Sequence, residues 1–427
     1  MNLLTPRHLR TLLIHSRRWR RRLVFVAGGL SVGLVAVALA MAADFAQAGF
    51  RIIALRWPYA PLALTPLGFG LAAYLVRYLF PSAGGSGIPQ VIAAHQSHDP
   101  AVQGKLVGTG TAFGKIVVTL IGLFAGASTG REGPTVQVSA AIMYAIGRGT
   151  KNRQPGLIVA GAAAGVAAAF NTPLAGIVFA IEEMSRSFEV RASGLIIGAV
   201  ILAGMTSLTL VGNYDYFGFT AAALPIGTAW MAVPLCGVAG GFLGAIFARV
   251  LIVFPDKLPA KAANWVKDWP VVFAMLCGLA VALVGFIPGG DIHGTGYQQA
   301  RAVLHGTGAV PLDFAGLKML ATTLSSISGI AGGIFSPSLA VGAGIGADIA
   351  HFFHHAQPGP IVLLGMVAYF TGVVRAPITG FVIVSEMTGN HAILVALMAT
   401  ALIADGCARL INPEGIYHML VKRYVPH

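Results

Sequence analysis

One carboxylate stands out by its position in the chain. Glu132 lies in GREGPTVQ, residues 130–137, beside Arg131 and between two glycines, and the nearest other charges are Lys115 and Arg148. Burial in a low-dielectric medium favours the protonated form of such a carboxylate. The residue therefore suits two kinds of chemistry, which are competition with an anion for hydrogen-bond donors and the carriage of a proton.

Three glycine-rich turns interrupt the apolar sequence, namely GGSGIPQ at 84–90, GREGP at 130–134 and GGIFSP at 332–337. Glycine lets the backbone approach a ligand closely, and proline suits the first turn of a helix. The free N–H groups of a helix start form an anion site, to which Ser86 adds a hydroxyl donor. Several such turns converging inside a membrane would bind an anion without a full positive charge, so that the anion could also leave.

The composition predicts that these turns lie in a membrane protein. Of the 427 residues, 56% are hydrophobic and 10% are charged, and the mean hydropathy is +0.77. A soluble domain carries about 25% charged residues. Several of the recurring apolar stretches are shorter than the roughly 20 residues that a spanning helix needs. We therefore predict an all-α integral membrane protein with many tilted and partial helices, which are typical of transporters.

The net charge of +13 does not indicate a nucleic-acid partner. Seven arginines lie between Arg7 and Arg22, directly before the first apolar run. Such a cluster predicts a cytoplasmic N-terminus in contact with anionic lipid head groups. We predict a basic cytoplasmic segment over residues 1–22, a transmembrane domain over 23–411 and a short tail over 412–427.

The chain also repeats itself. GREGPTVQVSAAI begins at Gly130 and GIFSPSLAVGAGI begins 203 residues later at Gly333, with glycine first and proline fifth in both. Two further pairs keep the register, Lys115 with Lys318 at 203 residues and NTPLAGIVFAIEEM from Asn171 with RAPITGFVIVSEMT from Arg375 at 204. We predict a duplication, with repeats over about 60–212 and about 229–411, and a ligand site at their interface. The residues alone leave open whether the repeats are inverted.

The two repeats differ in their acidic residues. The offset pairs Glu132 with Phe335, Glu183 with Met387 and Glu182 with Glu386. A feature of both halves is expected to be architectural, so Glu182 and Glu386 are interpreted as structural. The carboxylates of Glu132 and Glu183 occur in one half alone and are the better candidates for function.

The motifs GSGIP, GREGP and GIFSP, followed by a late tyrosine in GIYHML, resemble the signature of the CLC family of chloride channels and transporters. The match runs from about Gly84 to Tyr417 and is similar to the bacterial H⁺/Cl⁻ exchanger branch without C-terminal CBS domains. The resemblance implies a multi-pass homodimer in the bacterial inner membrane. It also implies a separate anion pathway in each subunit and two inverted halves per subunit.

The resemblance implies ligands for a central anion. Ser86 and Tyr417 would coordinate it with their hydroxyls, and Ile334 and Phe335 with their backbone N–H groups. Because fluoride-selective members carry another residue at the position of Ser86, this serine favours chloride.

The resemblance also implies an outer anion site and two proton sites. Arg131, Glu132 and Gly133 would supply N–H groups to the outer site, and the Glu132 side chain would be the gate and the external proton site. Glu183 falls on the internal proton-transfer glutamate of the exchangers. Lys115 matches a buried basic residue that biases the electric field toward anions.

The chain departs from the family pattern near Lys115. Gln90 follows GSGIP, Ile92 replaces an acidic residue that is common in close bacterial relatives, and Ala331 stands where proline is expected. These departures put the local charge balance near Lys115 in doubt and leave the anion ligands intact.

Two other motifs are rejected, and no metal or cofactor is predicted beyond chloride as the bound substrate. GTGTAFGK at 108–115 resembles a nucleotide-binding loop, but Thr109 and Ile116 stand where glycine and a hydroxyl residue are needed. The histidines of HFFHH, which are His351, His354 and His355, have no carboxylate or cysteine nearby in sequence. No nucleophile–base pair indicates an enzyme.

We therefore predict a secondary active transporter that exchanges chloride for protons, with Glu132 as gate and proton carrier. The alternative is a passive voltage- or pH-gated chloride channel of the same fold. The discriminating feature is Glu183, which channel members replace. A receptor or scaffold without transport is a third reading, against which the three turns argue.

Overall fold

The computed structural model describes residues 6–97, 99–147, 154–185, 190–287, 291–354 and 356–425. Residues 1–5 of the predicted basic segment, residues 426 and 427 of the predicted tail, and His355 lie outside the described residues. Within the described ranges the regular structure is helical, with two isolated β-bridges besides. The predicted all-α class is confirmed.

The helices are numbered in chain order. The first group comprises α1 (Pro6–Arg56), α2 (Pro61–Tyr78), α3 (Ile88–Gln96), α4 (Pro100–Val107), α5 (Thr109–Phe124), α6 (Glu132–Gly147), α7 (Gln154–Phe170), α8 (Pro173–Phe179) and α9 (Val190–Val211). The second group comprises α10 (Ala232–Lys257), α11 (Ala260–Asp268), α12 (Pro270–Gly285), α13 (Tyr297–Leu304), α14 (Phe314–Ile327), α15 (Phe335–Ala350), α16 (Pro358–Val374), α17 (Pro377–Thr388), α18 (Leu394–Ile411) and α19 (Ile416–Val421). A π-helical turn over Ala180–Ser185 follows α8 directly.

Many helices are too short to cross a membrane alone, as the sequence predicts. Among the described residues, five helical stretches are long and apolar enough to span: Arg22–Arg56, Pro100–Phe124, Gly194–Val211, Thr228–Phe254 and Leu394–Ile411. The pair α11 and α12 would add a sixth span, bent by 100°. Four apolar helices have 10–17 residues, namely α7, α14, α16 and α17. The fold therefore combines full spans with partial helices.

The predicted boundary at residue 22 is not a structural break. Helix α1 runs without interruption from Pro6 to Arg56 and so joins the basic segment to the first apolar run. Arginine, leucine and alanine are good helix formers, and no proline interrupts the run. Small residues then bring α1 against α9, since a Cβ on Gly33 would lie 2.6 Å from the Ala203 carbonyl oxygen.

Residues that are equivalent by the sequence offset also meet in space. The N–H of Gly130 donates to the carbonyl of Gly333 at 2.7 Å, and the N–H of Gly333 donates back to Gly130 at 2.7 Å. Such a reciprocal antiparallel contact is expected where a twofold axis relates the two halves. The turns that begin α6 and α15 therefore contact each other reciprocally.

A second reciprocal contact links the same two halves. The carboxylate of Glu182 accepts hydrogen bonds from the N–H groups of Ile378 and Thr379 at the start of α17, at 3.0 and 2.6 Å. Glu386 accepts from the N–H groups of Leu174 and Ala175 at the start of α8, at 3.0 and 2.7 Å. Each glutamate caps the helix of the other half, which agrees with the structural role predicted for both.

The centre of each half is a helix buried on all sides. Residues 157–170 of α7 and 360–374 of α16 are all buried, which requires apolar residues around the whole helix. Glycines set their distance from α6 and α15: a Cβ on Gly161 would lie 2.6 Å from the Ser139 carbonyl oxygen, and one on Gly342 would lie 2.5 Å from that of Gly365. This close packing holds α6 against α7 and α15 against α16.

Candidate anion pathway and proton sites

The three glycine-rich turns converge at one place. Helix α3 follows Gly87, whose φ of 97° is left-handed, while α6 begins at Glu132 and α15 at Phe335. A Cβ on Gly133 would lie 2.6 Å from both the carbonyl oxygen and Oγ of Ser86, and 3.2 Å from Cα of Gly333. The predicted convergence of helix starts is therefore observed, and Gly133 permits it.

Two buried hydroxyls face a cavity beside these helix starts. Ser86 and Tyr417 both line a cavity of about 370 Å³, together with Ile334 and Arg423. The hydroxyls of Ser86 and Tyr417 lie near each other without forming a hydrogen bond. Neither hydroxyl has another hydrogen-bond partner among the described residues. Arg423 is the one charged residue among the described residues that line this cavity. The cavity therefore offers donors and a positive charge to an anion.

Aromatic packing holds Tyr417 in place. Tyr417 lies on α19, inside the predicted tail, and is fully buried. Its ring centroid lies 6.0 Å from that of Phe335, which also packs edge-on against Phe370 at 4.9 Å and Phe179 at 5.7 Å. Phe335 thus joins the start of α15 to the helix that carries the phenol.

The carboxylate of Glu132 lies on the start of α15. Its Oε1 accepts a 2.5 Å hydrogen bond from the Ser336 hydroxyl, and the backbone N–H groups of Ser336 and of Glu132 itself also reach the carboxylate. Oε2 has no hydrogen-bond partner among the described residues, and Glu132 is 1% exposed. The side chain therefore occupies donors of a kind that can also bind an anion.

The side chain of Arg131 points away from the turn. Its guanidinium pairs with Asp44 at 2.6 Å and donates to the Ala40 carbonyl at 2.5 Å. It also lines a second cavity, of about 310 Å³, together with Tyr216 and Thr295. Glu132 lines neither cavity, but it lies within electrostatic range of Tyr216 in the one and of Tyr417 in the other. Its carboxylate therefore lies near one residue of each cavity.

Lys115 is fully buried behind the first turn. Its Nζ donates to the carbonyls of Gly84 at 3.2 Å and Gly85 at 2.8 Å, and Gln90 Nε2 donates to Gly84 at 2.7 Å. Gln90 and Ala331, which depart from the family pattern, therefore both contact this turn. Ala331 forms a parallel bridge with Gly85. Lys115 therefore shapes the turn that carries Ser86.

Glu183 lies in the π-helical turn after α8 and is 2% exposed. Its Oε1 lies 3.5 Å from Nε2 of His418, the residue that follows Tyr417 on α19. Tyr417 lies within electrostatic range of both Glu183 and Glu132. The structure therefore brings the two half-specific glutamates to the same tyrosine.

Comparison with known proteins identifies the family. The family model described as voltage gated chloride channel matches residues 68–409. The chain belongs to the CLC family. The H⁺/Cl⁻ exchange transporter ClcA of Yersinia pseudotuberculosis serotype IB is 31% identical over 433 residues, which cover 92% of this chain and 86% of that relative. ClcA of Salmonella arizonae is 30% identical over 425 residues, with the same coverage.

Solved structures confirm the CLC fold. The crystal structure of a slow cyanobacterial Cl⁻/H⁺ antiporter matches this protein with a TM-score of 0.79 and a sequence identity of 26%. The match covers 95% of this chain and 97% of the antiporter chain. A CLC-type fluoride/proton antiporter, 20% identical, has a TM-score of 0.77 over 97% of this chain and 99% of its own. The second likeness concerns the fold alone.

Sequence reasoning missed three features of this CLC protein. The motif GIFSP gives Ser336 no side-chain role, but its hydroxyl donates a hydrogen bond to Glu132. His418 follows the predicted tyrosine and contacts Glu183. The segment GTGY, which contains Thr295, forms a turn like GSGI: Gly294 and Gly296 have φ of 66° and 77°, and α13 begins directly afterwards. The paired spacing Gly-hydroxyl-Gly before a helix would have revealed this third feature.

Proposed function

We propose that this protein is a secondary active transporter that exchanges chloride for protons across its membrane. The observation that carries the proposal is the carboxylate of Glu132, which lies on the hydrogen-bond donors at the start of α15. A carboxylate and a chloride ion compete for the same donors. The relatives that are named H⁺/Cl⁻ exchange transporters support the same function.

We propose that chloride binds where the three turns meet. Ser86 and Tyr417 would donate their unpaired hydroxyls, and Ile334 and Phe335 their backbone N–H groups, to a central ion. The backbone of Arg131 and Gly133 would serve an outer ion in the position that the Glu132 carboxylate occupies. Neutral donors bind a dehydrated anion without holding it too tightly for transport.

The exchange follows from the two forms of Glu132. Ionised, its carboxylate holds the donors of α15 and excludes the outer ion. Protonated, it loses its attraction to these donors and leaves, so that chloride can take the place. Glu183 would exchange the proton with the cytoplasmic side, because it lies near Tyr417 on the route away from Glu132. Chloride and protons then move in opposite directions.

Lys115 would support the anion electrostatically. Its ammonium group lies behind Gly84 and Gly85, one residue from Ser86, and is shielded from solvent. Charges act over longer distances where water is excluded. The buried charge would therefore favour anions in the neighbouring cavity without touching them.

We further propose a multi-pass protein of the bacterial inner membrane that acts as a homodimer with a cytoplasmic N-terminus. The arginines before the first span support this orientation. Residues 23–411 would form the transmembrane domain, with repeats over about 60–212 and about 229–411. The protein would need no cofactor and would catalyse no covalent reaction.

The test uses purified protein in liposomes, with chloride and proton fluxes recorded in parallel. The expected result is that a chloride gradient drives protons against their own gradient in the wild type. In Glu132→Gln, chloride still passes and proton movement is lost, because the amide cannot carry the proton. Asp268→Asn, on a helix without buried residues, is the control and keeps both fluxes. Proton coupling that survives in Glu132→Gln would contradict the mechanism.

The alternative, a passive chloride channel of the same fold, is supported by the description of the family model. The presence of Glu183 favours the exchanger. A reversal potential that does not respond to a pH gradient would establish the channel instead, and absence of any anion flux would favour a receptor or scaffold. Repeating the flux assay with nitrate and other halides defines the selectivity.

A further inference from the structure

His418 and Glu183 form a buried pair at the end of the proposed proton route. Nε2 of His418 lies 3.5 Å from Oε1 of Glu183, and the two side chains are 11% and 3% exposed. We propose that His418 is the residue through which protons pass between solution and Glu183. This inference rests on the proposed exchange function and adds to it a residue that completes the cytoplasmic side of the proton route.

Helix geometry separates the proton route from the anion route at this point. Successive residues of an α-helix point about 100° apart around the axis. Tyr417 therefore faces the 370 Å³ cavity, while His418 is not among the residues that line it and contacts Glu183 instead. The short helix α19 thus directs the phenol of Tyr417 toward the proposed anion site and the imidazole of His418 toward Glu183.

The chemistry of the pair suits proton transfer. An imidazole exchanges protons in the physiological pH range, and its two nitrogens allow a proton to enter at one and leave at the other. A protonated His418 would donate the Nε2 proton to the Glu183 carboxylate, which leaves a neutral imidazole and a carboxylic acid. The ring then turns its vacated nitrogen toward the solution and takes another proton there from hydronium. A small rotation would shorten 3.5 Å to the 2.7–3.2 Å of a hydrogen bond.

The neighbouring charged groups have other partners or positions. On the same segment, Lys422 pairs with Glu414 at 3.1 Å. Both oxygens of Glu182, the residue before Glu183, are held by α17. Among the described side chains, the ionisable groups on the helices packed against α19 are His95 on α3, Cys236, Arg249 and Lys257 on α10, and Tyr369 on α16, while the side chain of Asp256 on α10 lies outside them. His95 contacts the Pro155 carbonyl at 3.2 Å, Arg249 and Lys257 are exposed, and Tyr369 is buried. Among the described residues, Glu183 is the carboxylate that forms an ion-pair contact with His418.

The test compares His418→Ala and His418→Gln with the wild type in liposomes, with chloride flux and chloride-driven proton flux measured together. We expect proton flux to fall by about tenfold or more in both variants, since a positioned acid–base group contributes at least this much. Chloride flux under an imposed voltage should persist, which also establishes that the variants are folded. His391→Gln is the control and should behave as the wild type.

Chemical rescue separates proton transfer from a structural role. Imidazole, present on both sides of the membrane, should restore proton flux in His418→Ala but not in His418→Gln, where the glutamine fills the space. Wild-type and protein-free liposomes at the same imidazole concentration correct for leakage of the base. Unchanged proton flux in His418→Ala, or a loss that imidazole does not restore, would overturn the proposal. If the wild type itself lacked coupling, the proposed exchange function would fail instead.

Discussion

The hydroxyl of Ser336 donates a 2.5 Å hydrogen bond to Oε1 of Glu132, and both side chains are almost completely buried. Ser336 lies in the first turn of α15, in the second half of the chain, whereas Glu132 begins α6 in the first half. The carboxylate of one half is therefore held by the helix start of the other. Any movement of Glu132 that admits an anion must break this contact.

Removing the Ser336 hydroxyl should weaken the closed state of the gate. A hydrogen bond to a charged group contributes about 1.5–3 kcal/mol. We expect Ser336→Ala to bind chloride at least about tenfold more tightly, because the ionised carboxylate loses more from the missing hydroxyl than a chloride ion, which the backbone N–H groups of α15 can still hold. Titration calorimetry of the purified protein with chloride measures the change.

The control for this variant is Ser338→Ala. Ser338 is buried two residues further along α15, and its hydroxyl has no hydrogen-bond partner among the described residues. Its removal should leave chloride affinity unchanged. Equal affinities in wild type and Ser336→Ala would mean that the serine does not hold the gate.

Chloride binding should depend on both orphan hydroxyls of the inner cavity. Ser86→Ala and Tyr417→Phe each remove one donor from the proposed central site, at a cost of about 1–2 kcal/mol, so that affinity falls roughly five- to thirtyfold. Calorimetric titration in a Glu132→Gln background, where the gate no longer competes as a carboxylate, isolates the central site. Tyr369→Phe is the matched control, since Tyr369 is also buried with an unpaired hydroxyl but does not line the cavity. An unchanged affinity in both test variants would place the anion elsewhere.

A methyl group at Gly133 should force the three turns apart. The added Cβ would lie 2.6 Å from the carbonyl oxygen of Ser86, which is backbone and cannot rotate away. We expect Gly133→Ala to reduce chloride flux in liposomes by at least about tenfold, because ligands displaced by about 1 Å lose most of their effect. Gly110→Ala is the control, because a Cβ there meets no atom within 4 Å. Wild-type flux in Gly133→Ala would show that close contact of the turns is unnecessary.

The sequence is sufficient to predict where several helices begin, but it does not predict most side-chain contacts. Gly-rich turns followed by proline predicted α3, α6 and α15, because glycine and proline act on the backbone locally. The contact of Ser336 with Glu132 joins residues 204 positions apart, and no local rule predicts it. The contact of His418 with Glu183 is of the same long-range kind.

Buried charges were the hardest residues to interpret from the sequence. The offset of 203 residues predicts that Lys115 and Lys318 are equivalent, but it does not predict their hydrogen-bond partners. Lys318 donates to the carbonyls of Ile292 and Gly294 at 2.6 and 2.7 Å, as Lys115 does to Gly84 and Gly85. Both lysines are satisfied by backbone carbonyls of a glycine turn, and the sequence carries no signal for a carbonyl acceptor.

The reciprocal caps of Glu182 and Glu386 should stabilise the fold without serving transport. Each carboxylate accepts two N–H groups at a helix start of the other half, and Glu182 also accepts the Thr379 hydroxyl at 2.8 Å. Loss of a cap costs about 0.5–2 kcal/mol. We therefore expect Glu386→Ala and Glu182→Ala to lower the thermal unfolding temperature in detergent, while Asp268→Ala, at an exposed position, leaves it unchanged. The ratio of chloride to proton flux should remain that of the wild type in both cap variants, in contrast to Glu183→Gln, which should lose proton flux and keep its stability. A changed ratio of chloride to proton flux in Glu386→Ala, with an unchanged unfolding temperature, would show that Glu386 takes part in proton transfer.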